Sequence, residues 1–228
     1  MSSNTVKDAW FRSNTWNPED QVLFEQKLSQ SRTAYNKSQY MRLKGLALQE
    51  SNNIEVREAG RQLFLRVLSE YPDHSAKALT YEELGRSYQR DGNIVFAEKY
   101  LRLGIEAQKE HPVYLTRCAL LLSELIIESK QISKFNEIPD LLSEWGRNFR
   151  PLFNSDQFRF CVAFARCADV LHEKETAVLS ATKALELAEI GEKPQFSRHK
   201  TIGLVHTDEK TLSKMRVIIQ KYSKTKTV

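Results

Sequence analysis

The chain has 228 residues, 41% hydrophobic and 28% charged, with only 8 Gly and 6 Pro; this suits one soluble domain or a short repeat stack and offers too few turn formers for an all-β or loop-rich chain. Three cysteines, Cys118, Cys161 and Cys167, are an odd and sparse set that does not build a disulfide scaffold. The formal net charge is +5, yet residues 191–228 hold nine Lys/Arg against three Asp/Glu, so the basic character is local and a uniformly basic nucleic-acid binder is excluded. The opening Met1-Ser2-Ser3-Asn4-Thr5 lacks the basic and apolar segments of a secretion signal. The longest apolar run, Ala119 to Ile127, contains Ser123 and Glu124 and is too short to span a bilayer. A cytoplasmic location without a membrane span is the expectation.

Asn17-Pro18-Glu19-Asp20 predicts a helix start, with an Asn cap, Pro at the first helical position and two acids facing the dipole; Val22, Leu23, Phe24 and Leu28 supply its apolar side. A second helix is predicted from about Lys37 to Glu50, with Tyr40, Leu43, Ala47 and Leu48 inward, ending at Ser51-Asn52-Asn53. A third covers about Glu55 to Glu70, with Leu63, Phe64, Val67, Leu68 and Tyr71 at i, i+3, i+4 spacing, closed by Pro72-Asp73. The fourth, about Ala76 to Arg90, ends at Asp91-Gly92-Asn93, and the fifth runs from about Ile94 to Lys109. A sixth follows from about Val113 to Ser129. A weaker one carries Leu141, Leu142 and Trp145, with Pro139 in its first turn because an interior proline costs about 3 kcal/mol. Two more span about Ser155 to His172 and Glu175 to Ile190. After irregular chain from Gly191 to Val205, a last amphipathic helix starts near Thr207-Asp208-Glu209 with Leu212, Met215, Ile219 and Tyr222 on one side. The only short stretch of strand character is Thr201 to Val205.

Residues Ala78 to His111 carry a packing pattern. Tyr81, Leu84, Gly85 and Tyr88 lie on one helix, and Ala97, Leu101 and Gly104 on the next. Gly85 and Ala97 are the small residues where two helices cross closely, with Tyr81, Leu84, Tyr88 and Leu101 filling the space around the crossing. This spacing resembles the tetratricopeptide repeat. A second copy lies at Phe158 to Gly191, with Cys161, Phe164, Ala165 and Ala168, then Ala177, Ala181 and Ala184. Looser copies occupy about Ser38 to Pro72 and Pro112 to Trp145. In the former, Gly45 takes the small position with Lys44 where Leu is expected, or a frame on Leu46-Ala47 fits as well. The stretches Trp16 to Glu19, Gln39 to Gly45 and Phe196 to Val205 further resemble small bacterial tetratricopeptide proteins of uncharacterised role. The resemblance implies an all-α, right-handed α-solenoid of antiparallel helix pairs, about nine to ten helices forming a single helical-repeat domain over 1–228. Within it, 1–37 is an N-terminal arm and helix, 38–190 the repeat pairs, and 191–228 an irregular segment and basic capping helix.

Catalytic constellations are missing from the pattern. Cys161 and Cys167 lie six apart, about 240° around a helix, and do not face one metal; buried structural thiols are the simpler reading. His199 and His206 flank the irregular segment near Glu192 and Asp208, without ligand-bearing helix spacing. The eight glycines form no phosphate loop. No enzyme, cofactor or metal is therefore expected.

The tetratricopeptide resemblance implies a concave groove lined by helix-A side chains. From the Ala78 repeat these are Leu79, Glu82, Arg86, Gln89 and Arg90; from the Phe158 repeat, Arg159, Val162, Arg166, Asp169 and Val170; from the first repeat, Arg42 or Lys44. Arginine suits carboxylates held bidentately, whereas Glu82 stands where the family's clamp for peptide C-termini has lysine. These arginines either receive a partner or are solvated and paired with nearby acids. Lys214, Arg216, Lys221, Lys224 and Lys226 either touch nucleic acid or anionic lipid, or form the polar face of a capping helix. The expected function is a protein-interaction module receiving an acidic or extended partner segment. An immunity or antitoxin-like protein that occludes a toxin is one alternative, and a nucleic-acid binder using the groove arginines and tail is another.

Overall fold

A computed structural model describes residues 9–72, 75–149, 153–191 and 193–223. Asp73, Glu192, Lys224, Lys226 and the opening Met1 to Thr5, named above, lie outside the described residues. Among the described residues the chain is all-helical, with eleven α-helices, one 3-10 segment and no strand. The helices are α1 (Ala9–Arg12), α2 (Pro18–Ser29), α3 (Ala34–Gln49), α4 (Ile54–Glu70), α5 (Lys77–Arg90), α6 (Ile94–Glu110), α7 (Cys118–Glu128), α8 (Ile138–Phe149), α9 (Asn154–Val170), α10 (Lys174–Ile190) and α11 (Glu209–Ser223), with the 3-10 segment at Ile132–Glu137. Contacts divide the chain into two compact units, Met1–Cys118 and Ala119–Val228, a division falling inside the expected 38–190 repeat block.

In the first unit, α3 packs on α4 and α5 on α6. The predicted start of α2 is a complete capping box: Asp20 N–H donates to Asn17 Oδ1 at 2.8 Å, and Asn17 N–H donates to Asp20 Oδ2 at 3.1 Å. Of its four predicted apolar contributors only Phe24 and Leu28 are buried; Val22 and Leu23 face outward. The two pairs 22/23 and 24/28 sit on different sides of a 3.6-residue turn, and the core takes the second.

The chain ahead of α2 holds an element the sequence pattern does not reveal. Trp10 and Phe11 of α1 pack with Phe24 and Tyr40, ring centroids 4.8–5.6 Å apart. Lys44 of α3 is fully buried beneath this arm. Its ammonium donates to Ser13 O at 2.9 Å, Ser13 Oγ at 2.7 Å and Thr15 O at 3.1 Å, and lies 5.3 Å from the Trp16 ring. Gly45 beside it is the close-approach position of α3, since a Cβ there would stand 2.6 Å from the Phe64 ring. The two alternative frames therefore differ physically, and Gly45 is the crossing residue. Gly85 plays the same part in α5, where a Cβ would meet Leu101 Cδ2 at 2.6 Å and Ala97 is fully buried.

The predicted helix from Val113 starts later, at Cys118. Residues 113–117 are held as a turn: Thr116 N–H and Oγ both meet Gln108 Oε1 at 2.7 Å, and Arg117 N–H donates to Glu82 Oε2 at 2.8 Å. Side chains thus satisfy backbone donors that a longer helix would have used itself.

In the second unit, α9 packs on α10 and α10 on α11. Ala177, Ala181 and Ala184 of α10 are fully buried, which allows close approach, and Met215 and Ile218 of α11 complete the same apolar cluster. Pro139 lies in the first turn of α8, as predicted. The stretch with strand character instead turns, with Gly203 at φ 83° and Val205 N–H bonded to Gly191 O at 3.0 Å.

Candidate functional site

The predicted groove residues of the first unit are Arg42, Glu82, Arg86, Gln89 and Arg90, and most are engaged inside the fold. Glu82 is buried and accepts the Arg117 N–H, as described, so its carboxylate stabilises a turn. Arg90 donates to the backbone oxygen of Gln49. Arg42 Nη2 reaches Gln39 Oε1 at 3.4 Å, and its Nε is buried without a hydrogen-bond partner among the described residues. Arg86 is exposed, 3.6 Å from Glu83. Burial pushes the Glu83 carboxyl above its ordinary value, with the charges of Arg86, Arg42 and Arg117 opposing. Gln89 is half-buried.

Sequence reasoning missed a denser network on the same unit. Asp91 Oδ1 accepts from Arg57 Nε at 3.2 Å and Nη2 at 2.8 Å, while Asp91 Oδ2 takes Arg61 Nη1. Arg61 Nη1 also donates to Ser87 Oγ at 3.0 Å, and the Ser87 hydroxyl donates to Gln49 Oε1 at 2.6 Å. Burial alone would raise the Asp91 carboxyl, but the hydrogen bonds and charges of Arg61 and Arg57 hold it below its ordinary value. The network braces α4 against the α5–α6 turn; its charges are consumed internally.

In the second unit Arg159 grips Glu124 through two bonds, Nε at 2.9 Å and Nη2 at 2.5 Å. Arg166 and Asp169 instead meet in a cleft of 580 Å³, within the ~300–1,000 Å³ range of ligand sites. One wall is the end of α7 with the 3-10 segment, the second is α9, and the third is α11. Ile127, Phe135 and Ile218 form a buried base, and Ile132, Val170 and Val217 are exposed aliphatic side chains above it.

The cationic members are Lys130, Arg166, Lys210 and Lys214, and the acidic ones Glu128 and Asp169. Glu128 is paired with Arg166 at 2.6 Å. Asp169 Oδ1 accepts from Lys221 Nζ at 2.6 Å and from the Tyr222 hydroxyl at 2.9 Å. Arg216, by contrast, pairs with Glu209 on its own helix. The basic residues predicted on the last helix therefore divide: Arg216 and Lys221 are neutralised locally, while Lys214, with Lys210, lines the cleft.

The three cysteines are unpaired, and burial raises all three thiols, Cys161 and Cys167 to about 11. Among the described residues no three His, Cys, Asp or Glu side chains gather as a metal site requires, and no helix is long and apolar enough to cross a membrane. No protein-family model matches the chain, and no curated protein matches it.

Proposed function

We propose that this chain is a tetratricopeptide-like, right-handed helical-repeat module that works without catalysis, by holding a partner polypeptide, and that the cleft between α7, α9 and α11 is its contact surface. The helix pairs support the repeat reading: α5 on α6 and α9 on α10 cross at Gly85 and at the buried alanines of α10. The observation carrying the function is the cleft itself, where exposed Ile132, Val170 and Val217 lie together above a formed apolar base. Exposed aliphatic side chains clustered in a concavity mark binding surfaces, because isolated solvation of each offers no gain.

The test is selection of a displayed random-peptide library on the full chain, followed by binding of the selected clones to a Val170→Asp/Val217→Asp variant. Both positions are exposed, so the variant keeps its helical circular dichroism. Clones that bind wild type and lose the variant are expected. Clones that bind both equally would defeat the cleft as the contact surface.

A further inference from the structure

We infer that the occupant of this cleft is a short extended segment carrying one large aliphatic side chain with acidic residues on one side of it. The inference rests on the reading of the cleft as a polypeptide site and specifies that polypeptide's chemistry. Charge carries the first part. Both carboxylates of the lining are already bound within the fold, Glu128 by Arg166 and Asp169 by Lys221 and Tyr222. Lys130, Lys210 and Lys214 make no ion pair or side-chain hydrogen bond among the described residues. Of the acids nearest to Lys210 and Lys214 in sequence, Glu209 is paired with Arg216, and Asp208, which the two lysine charges also reach, accepts the Thr211 N–H at 2.7 Å. Three ammonium groups thus face one concavity whose acids are spent, and a concave, partly apolar wall focuses that field.

Spacing carries the second part. Lys210, Lys214 and Val217 stand at i, i+4 and i+7, on one face of α11. At ~1.5 Å rise per residue, Val217 lies ~4.5 Å along the axis from Lys214 and ~10.5 Å from Lys210. An extended chain advances ~3.3 Å per residue. Side chains alternate along an extended chain, so a segment whose aliphatic side chain rests on Val217, Val170 and Ile132 meets the two lysines with acids of the same face, two and four residues away and within reach of the long lysine side chains.

The backbone places Lys130 at the rim of the cleft. Lys130 has φ 55°, in the left-handed region where glycine is favoured. It sits just past α7, its N–H bonded to Ile127 O at 3.3 Å and the Gln131 N–H to Ile126 O at 3.0 Å, the hydrogen-bond pattern of a helix end that glycine usually occupies. A nucleic acid fits less well, because Phe135 is the lining's single aromatic residue and is only 3% exposed, leaving no ring face for a base.

The test uses the full chain and three labelled peptides read by fluorescence anisotropy: Ser-Glu-Ser-Glu-Ser-Leu-Ser, its counterpart with both Glu replaced by Gln, and its counterpart with Leu replaced by Ser. The first is expected to bind, and the other two about tenfold or more weakly. A Lys210→Ser/Lys214→Ser variant, altered only at exposed and unpaired positions, should weaken the acidic peptide about tenfold and leave the Gln peptide unchanged. Equal binding of the acidic and Gln peptides, lost in Val217→Asp, would overturn the acidic occupant while the polypeptide site stands. Peptide binding indifferent to Val217→Asp would overturn both. So would no peptide binding up to millimolar concentration, or preferential binding of oligouridylate sensitive to the lysine changes.

Discussion

Replacing Lys130 by glycine separates what this residue does for the fold from what it does for a ligand. A side chain in the left-handed region is disfavoured by about 1–2 kcal/mol per residue. Glycine removes that penalty but gains freedom in the unfolded chain, which offsets about 0.4–1 kcal/mol. The exposed Lys130 side chain forms no bond whose loss would enter the balance. Lys130→Gly should therefore stabilise the protein by about 0.5–1 kcal/mol, a rise of about 1–4 °C in Tm for a chain of this size. Affinity for the acidic peptide should move oppositely. One exposed charge contact is worth up to about 1 kcal/mol, so the loss is up to about fivefold.

His172 provides the control. It too is left-handed, φ 60°, at the end of α9, where Glu173 N–H bonds to Ala168 O at 2.8 Å, and its exposed side chain is outside the cleft lining. His172→Gly should raise Tm by a similar amount without changing affinity. Thermal unfolding followed by far-UV circular dichroism, with anisotropy titration on each variant, reads both quantities. A lower Tm for Lys130→Gly would refute the argument, because the lysine would then be supporting its turn. Equal affinity losses in both variants would assign the effect to turn rigidity and remove charge from the account.

Two further substitutions test the first unit. Asp91→Ala leaves the Arg57 and Arg61 guanidinium groups without their shared acceptor, and urea unfolding should show a loss of about 2–3 kcal/mol, below the deepest buried pairs because the carboxylate side chain is 12% exposed. Since its folded-state pKa is depressed, the wild-type contribution is present above the ordinary value of ~3.9 and lost as pH falls through the folded value; an acid-side slope as steep in Asp91→Ala as in the wild type would sink this assignment. Lys44→Met keeps the shape but strands Ser13 O and Thr15 O, at a cost of about 2 kcal/mol near neutrality. Burial holds the Lys44 ammonium below its ordinary value, with Asp20 opposing, so between the folded pKa and ~10.4 the unfolded chain binds more protons and wild-type stability gains with rising pH. The deficit of Lys44→Met should therefore widen toward alkaline pH, and a constant gap would contradict it.

Local chemistry was legible in the sequence where it is decided locally. The Asn17 cap, Pro18 and the small residues Gly85 and Ala97 announce a helix start and a helix crossing from neighbours within a turn or within one helix pair. Lys44 did not announce itself, because a lysine in a leucine position reads as an error until Ser13 and Thr15, some thirty residues earlier, are seen to accept its hydrogen bonds. The delayed start of α7 depended likewise on Gln108 and Glu82 capturing the donors of residues 116 and 117. The predicted arginines were identified as charged positions on helix faces, but Arg159 and Arg166 are neutralised by acids 35 and 38 residues away. Periodicity locates a face; it does not report which charge stands opposite it.

The last helix unites the two readings that the basic tail left open. Its apolar residues, Met215 and Ile218 with Leu212, Ile219 and Tyr222 beside them, close the cluster built by α9 and α10. Its cations do not all share that face's purpose. Lys221 is used to hold α11 on Asp169, and Arg216 is tied to Glu209, so neither is available for a ligand. Lys210 and Lys214 contribute to neither bond, and with Val217 they form the third wall of the cleft. Removing the helix would therefore expose the apolar cluster and abolish the cleft together, making truncation uninformative. Substitutions at exposed 210, 214 and 217 leave Met215 and Ile218 in place, so they test the cleft without opening the apolar cluster.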